Sequence, residues 1–213
     1  MIAELRDKRA NRRQEQKEET RQLVLRTAGD LFEEKGYRKT TMRELADRAG
    51  VGLGTIFSHF PDKRGLLVAA FQEERAAVLR LAFATLPPAD FKSQLLHLAS
   101  HLYRYYARRP AFSRALLQEL LFLGDRRCEE LDTQILSLIQ RIVGLCEAAV
   151  TRGELRATVD CRETALAVWS FFFVVLLKGL KENEFDVEFQ VARVERLLDQ
   201  HLAGIGPAGR EED

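Results

Sequence analysis

Residues 41–60 read Thr-Met-Arg-Glu-Leu-Ala-Asp-Arg-Ala-Gly-Val-Gly-Leu-Gly-Thr-Ile-Phe-Ser-His-Phe, and the reading of this stretch decides the fold. It predicts two short helices joined by a tight turn. Thr41 is a good N-cap, and Glu44 three residues later completes a capping box. Leu45, Ala46 and Ala49 give the first helix one apolar stripe. Gly50 supplies a residue that tolerates positive φ at the helix end. Val51 is an apolar plug between the helices. Gly52 can cap the second helix, less well than Ser or Thr would. Ile56 and Phe60, four apart, form its buried face. Leu53, Thr55, Ser58 and His59 are left pointing elsewhere. Turn-linked helices of this length, with a small polar outer face on the second, are a helix-turn-helix signature, the geometry that lays one helix in a DNA major groove.

The flanks sharpen the signal. Thr20 to Lys35 is a helix pattern with Leu23, Val24, Thr27, Ala28, Leu31 and Phe32 on one face, stopping at Gly36-Tyr37. After the two-helix unit, Pro61 ends the second helix, Asp62 can cap a following one, and Leu66-Leu67 start its apolar face. The order of these pieces resembles the N-terminal domain of the TetR family of bacterial transcriptional regulators over about residues 18–78. The resemblance rests on Phe32…Gly36-Tyr37, Thr40-Thr41, Leu45-Ala46, Ala49-Gly50-Val51, Gly54-Thr55-Ile56-Phe57, His59-Phe60 and Lys63.

The resemblance implies DNA binding through Thr40, Thr41, Arg43, Gly52, Leu53, Gly54, Thr55, Phe57, Ser58, His59 and Lys63. Leu53, Thr55 and Ser58 are expected to face base edges. Thr40, Thr41, Arg43, His59 and Lys63 are expected near phosphates. Two positions depart from the family's pattern. Phe57 stands where a Tyr hydroxyl usually meets a phosphate, and Gly52 stands where Ser or a similar capping residue is usual.

Composition agrees with a regulator: 213 residues, 46% hydrophobic and 31% charged, suit one or two globular domains. The net charge of +1 is unevenly spread. Residues 1–65 hold 15 Lys/Arg against 11 Asp/Glu, and the remainder 18 against 21, so the basic part coincides with the helix-turn-helix. No secretory signal is visible, and the longest apolar run, Ala165 to Leu177, is too short to span a bilayer. Cys128, Cys146 and Cys161 have no CxxC spacing and suggest reduced thiols in a cytoplasm. Arg6, Lys8, Arg9, Arg12, Arg13 and Lys17 make the first residues either an arm for the minor groove or phosphates, or a mixed-charge tail.

The rest of the chain reads as more helices, broken at Pro87-Pro88, Pro110, Gly124 and Gly153, with no period-2 pattern of useful length. The fold expected is all-α with about nine helices. The division expected is a charged arm over 1–17, a DNA-binding domain over 18–65, a ligand-binding and dimerisation domain over 66–203, and a disordered tail over 204–213. The helix over 162–181 is apolar on too many faces for a lone surface helix. A palindromic operator needs a two-fold protein with reading heads one DNA turn (~34 Å) apart. The resemblance implies that the last two long helices pair with their symmetry mates in a four-helix bundle. Ala165, Val168, Phe172 and Val175 form one candidate stripe, and Val191, Val194, Leu198 and Leu202 the other.

The same resemblance implies a small-molecule inducer enclosed by residues 66–150. The lining expected is Leu98, Leu102, Tyr105, Phe112, Leu116, Leu120, Leu138 and Ile142, which favours a hydrophobic or amphipathic effector. A metal-responsive alternative rests on His97 and His101, four apart on a helix, and a redox-responsive one on the cysteines. A helical interaction protein without DNA binding is a third. No phosphate loop, nucleophile elbow or paired-carboxylate constellation suggests an enzyme, and no cofactor or membrane association is expected.

Overall fold

The computed structural model describes residues 2–121, 129–182 and 184–205. They form nine α-helices and no strand: α1 (Ile2–Lys35), α2 (Met42–Ala49), α3 (Leu53–His59), α4 (Lys63–Ala84), α5 (Phe91–Arg108), α6 (Pro110–Leu121), α7 (Glu129–Thr151), α8 (Cys161–Gly179) and α9 (Val187–Ile205). The expected tail falls mostly on residues 206–213, which lie outside the described residues, as does Cys128.

Local chemistry accounts for the breaks. Asp90 caps α5 by accepting the Ser93 N–H at 2.8 Å, and Asp160 caps α8 by accepting those of Arg162 and Glu163. Asp62 accepts the Gly65 N–H at 2.7 Å at the start of α4. Pro110 does more than stop a helix. It opens α6, at the first helical position where a missing N–H costs nothing. α1 begins eighteen residues before the apolar pattern does, so the charged arm is helical from Ile2, and Arg12, Arg13 and Lys17 lie on its exposed surface.

The chain divides into two compact units. One holds the residues through Glu74 and the part of α6 from Ala115. Its core is Val24, Leu25, Ala28, Leu31 and Phe32 of α1, Leu45 and Ala46 of α2, Ile56 of α3, and Leu66, Leu67 and Phe71 of α4. Leu23, expected on the buried face, is 39% exposed, and Leu25 is buried in its place. At 100° per residue Leu23 sits ~125° from the centre of the Val24–Ala28–Leu31–Phe32 stripe, and Leu25 only ~75° from it. Glu73 of α4 accepts from Arg21 at 2.9 Å and from Gln22 at 2.6 Å, fastening α1 to α4.

The other unit holds Arg75–Arg114 and the described residues of α7, α8 and α9. Here α5 packs on α9, α7 on α8, and α8 on α9. Tyr103 stacks on Phe172 with ring centroids 4.7 Å apart and donates its hydroxyl to the Phe172 carbonyl at 3.0 Å. Gly179 permits the tight end of α8, since a Cβ there would meet Phe185 at 2.8 Å and Gln190 at 2.9 Å. Thr133–Thr151 of α7 is long and apolar enough by composition to cross a bilayer, yet Leu138, Ile142, Cys146 and Ala149 face the chain's own core.

Candidate DNA-binding site

The turn between α2 and α3 is built as the residues require. Thr41 accepts the Glu44 N–H at 3.2 Å, and the Glu44 carboxylate accepts the Thr41 N–H at 2.9 Å. Lys35 adds a 3.0 Å contact to the same carboxylate. Hydrogen bonding from the Thr41 backbone, and then from Lys35, holds the Glu44 carboxyl below its ordinary range. Gly50 takes φ 67° and closes α2 in the left-handed conformation. The Val51 N–H returns to the Ala46 carbonyl at 3.0 Å. Gly52 sits at the N-cap of α3 with φ −66° and ψ 144° and offers no side-chain cap.

This turn sets the faces of α3. Ile56 is fully buried and Phe60 nearly so. Gly52, Gly54, Phe57 and Ser58 are exposed, and Leu53, Thr55 and His59 are half-buried. Ser58 donates to the Thr55 carbonyl at 2.7 Å. Phe57 is 47% exposed, which excludes burial against Leu66 or α1. Thr41 and Arg43 of α2 are also exposed. His59 has its pKa lowered, first by burial and then by the charges of Lys17 and Arg21, with Glu18 opposing. Two cations of α1 therefore stand close to the end of α3.

Two of the expected phosphate contacts need correction. Thr40 is 1% exposed, and its hydroxyl donates to the Gly36 carbonyl at 3.0 Å, so its side chain closes the end of α1 and does not reach out. Lys63 points inward. Its ammonium donates to the carbonyls of Tyr37 and Thr40, each at 2.8 Å, and to that of Arg38 at 3.4 Å, and lies 4.5 Å from the centre of the Tyr37 ring. Both residues frame the loop before α2. An exposed-looking Lys at a loop-to-helix boundary carries no sequence mark of the carbonyls it binds.

The expected effector lining is partly brought together. A cavity of about 30 Å³ lies among α5, α7, α8 and α9, lined by Leu98, Leu102, Leu138 and Ile142 with Leu95, Ala99, Val168, Trp169, Phe172, Val194 and Leu198. Tyr105, Phe112 and Leu116 are buried elsewhere. The side chain of Leu120 lies outside the described residues. Sequence periodicity pointed at α5 and α7, but nothing in it joined them to α8 and α9.

The expected dimer stripes are corrected as well. Ala165, Val168, Phe172 and Val175 of α8, with Val194 and Leu198 of α9, are buried within the single chain, and Val191 and Leu202 are half-buried. Four of these residues line the cavity. An all-round apolar helix has two candidate faces, and its own neighbours take one of them. The face left over carries Leu166, Ser170 and Val174, with Val174 50% exposed.

The rival chemistries gather little. His97 and His101 have ring centroids 4.3 Å apart. One nitrogen of each ring is engaged, His97 Nε2 with the Ala82 carbonyl at 3.0 Å and Thr85 at 3.2 Å, and His101 Nδ1 with the His97 carbonyl at 3.0 Å. No cluster of three His, Cys, Asp or Glu that could hold a metal occurs among the described residues. Burial, then the neighbouring Cys161, pushes the Cys146 thiol up to about 12, far from a reactive thiolate.

Comparison with known proteins agrees with this geometry. Residues 24–70 match the model of the bacterial regulatory proteins of the tetR family. The chain is 28% identical over 197 residues to the HTH-type transcriptional repressor BepR of Brucella suis, covering 86% of this chain and 92% of that one. It is 31% identical over 144 residues to the HTH-type transcriptional repressor KstR of Mycobacterium tuberculosis, covering 66% and 62%. Among solved structures, Thermus thermophilus FadR, a TetR-family repressor in complex with lauroyl-CoA, superposes with a TM-score of 0.70 at 22% identity, covering 91% of this chain and 98% of that one. A capped helix-turn-helix with an exposed second helix, and these relatives over most of the chain, lead to one conclusion: residues 24–70 are a DNA-binding domain of the tetR type, and the protein is a DNA-binding transcriptional regulator.

Proposed function

We propose that this chain is a repressor that binds a palindromic operator as a homodimer and is released by a small hydrophobic or amphipathic effector. The observation that carries the reading is the exposed outer face of α3, held by the capped turn before it. On this reading Leu53, Thr55 and Ser58 address base edges, and Thr41, Arg43, Phe57 and His59 address the backbone. Gly52 and Gly54 leave room for close approach. Phosphate contacts fix register while base contacts carry sequence. DNA reading belongs to residues 18–65, effector binding and dimerisation to 66–203, and the place of action is the bacterial cytoplasm.

The dimer uses the outward face of α8 and α9. Of the seven large hydrophobic side chains exposed among the described residues, Leu166, Val174 and Phe189 lie on these two helices. A two-fold contact reuses one patch on both subunits, and a stable one buries well over ~1,000 Å² in total. The effector site is the apolar cavity among α5, α7, α8 and α9. A repressor of the same fold was solved with lauroyl-CoA, a long amphipathic thioester. An effector releases the operator only by binding the competent and incompetent states unequally.

Gel shift against the DNA upstream of the chain's own coding sequence, with light scattering of the free protein, tests the reading. A retarded band that competitor DNA of unrelated sequence does not remove, and a dimer mass, are expected. A monomer at micromolar concentration, or equal retardation of any duplex, would refute it.

A further inference from the structure

The outer side of α7 carries a second concavity beside the cavity. α4 and α7 flank a groove of about 160 Å³ whose walls include Arg80 and Phe83 of α4 and Gln134, Ser137, Leu138 and Arg141 of α7. The Arg141 guanidinium lies 3.3 Å from the centre of the Phe83 ring. Stacking of this kind fixes the plane of the cation while leaving its N–H edges free to donate. Burial against its surroundings is the one influence shifting Arg141, and no carboxylate contributes. Among the described residues, neither Arg80 nor Arg141 has an acidic partner. Two cations without an acidic partner among the described residues thus share a groove only a few residues wide. Gln134 gives its amide oxygen to Arg75 at 2.6 Å, so what it can offer a ligand is its NH₂ group. Ser137 adds a hydroxyl. The polar equipment of the groove is therefore mostly donor, which suits an anion.

Leu138 belongs to both places. It lines the groove on one side and the apolar cavity of Trp169 and Phe172 on the other. A polar, cationic mouth and an apolar interior meet at one side chain. The geometry points to an effector that is an amphipathic anion, a long-chain carboxylate or phosphate monoester, with its head held between Arg80 and Arg141 and its tail passing Leu138 into the cavity. This inference rests on the effector reading above and adds the chemistry of the head group. The charge pair acts as the selector. A neutral alcohol of equal chain length gains the same apolar burial and loses the charge-assisted hydrogen bonds. A cationic amphiphile meets repulsion at the mouth.

Trp169 is the chain's single tryptophan and lines the cavity, so its emission reports tail occupancy. The full-length protein is titrated, below micellar concentrations, with dodecanoate, dodecyl phosphate, 1-dodecanol and dodecyltrimethylammonium. The expected result is saturable change in Trp169 emission, with one or both anions binding roughly ten-fold or more tightly than the alcohol, and the cation weakest. The tighter of the two anions identifies the head group. Arg80→Gln and Arg141→Gln each weaken the anion about five-fold or more and leave the alcohol unchanged. Both side chains are exposed, so the melting temperature stays near wild type and folding does not confound the result. Equal affinity for acid and alcohol, or an equal loss for both in the Arg variants, would overturn the anionic head and leave an apolar effector standing. Silence of all four probes would overturn the effector cavity together with it.

Discussion

The ammonium group of Lys63 donates a 2.8 Å hydrogen bond to the carbonyl of Thr40, the residue that immediately precedes the N-cap of α2. With the bond to Tyr37, this makes Lys63 a brace between the start of α4 and the loop before α2. Lys63→Ala is expected to lower stability by about 1.5–3 kcal/mol, the usual range for hydrogen bonds to a charged group. Thermal or urea unfolding checks it. Wild-type stability with a salt slope of operator binding flattened by one unit would instead mark Lys63 as a phosphate contact.

Phe57 stands half-exposed on the outer side of α3. Phe57→Tyr adds a hydroxyl where solvent or a phosphate can meet it. Operator binding should tighten by about 0.5–1.5 kcal/mol per half-site, similarly for unrelated DNA, with little change in melting temperature. Fluorescence anisotropy on both duplexes measures this. An unchanged affinity would place the position off the backbone.

Gly52 caps α3 with its backbone alone, at φ −66° and ψ 144°, angles that any L-residue adopts. A Cβ there meets nothing nearer than Thr55 Oγ1 at 3.6 Å. Gly52→Ser should therefore raise stability by about 0.5–1 kcal/mol, through a side-chain cap and a less free unfolded chain. A fall in the unfolding midpoint would contradict this account of the turn.

Val174 and Val175 are neighbours with opposite surroundings, 50% and 2% exposed. Val174→Arg should yield a folded monomer by light scattering, with wild-type helicity and lost operator binding. Val175→Arg buries an unpaired charge and should unfold the chain. A dimeric Val174→Arg protein would move the interface elsewhere.

His59 titrates below its ordinary value of 6.5 in the free protein, because burial and the cations Lys17 and Arg21 disfavour its charged form. A depressed histidine contributes stability that is present above the unfolded value and lost as pH falls through the folded one. Phosphates beside His59, as proposed, would act oppositely and favour the charged ring, so binding is expected to take up a proton. Operator affinity at fixed ionic strength should rise several-fold as pH falls from 8 towards 6. His59→Gln should remove that slope. A slope that survives the substitution would assign it to another group.

The helices and their ends were legible because caps and breakers are local: Thr41 with Glu44, Gly50, Asp62, Asp90 and Pro110 each act within a turn of where they stand. The helix-turn-helix could be read for the same reason. What could not be read is any property set by a distant neighbour. Thr40 and Lys63 look like polar surface residues until the carbonyls of residues 36–40 are seen around them. The stripe Ala165–Val168–Phe172–Val175 is apolar whether it meets a second subunit or the chain's own helices. The pairing of α5 with α9 closes a gap of some hundred residues, which no period can register.

The room beside Trp169 holds no more than a water molecule or two. An alkyl chain cannot enter it as it stands, so an effector engages only molecules whose helices have already parted. Its apparent affinity is the intrinsic one scaled by that open fraction: one molecule in a hundred open costs about a hundred-fold. On the proposed effector reading, the close packing of Leu102 and Leu198 around the void is thus a dose setting: it would keep the regulator deaf to trace amounts of a greasy metabolite and let it answer once the concentration is high.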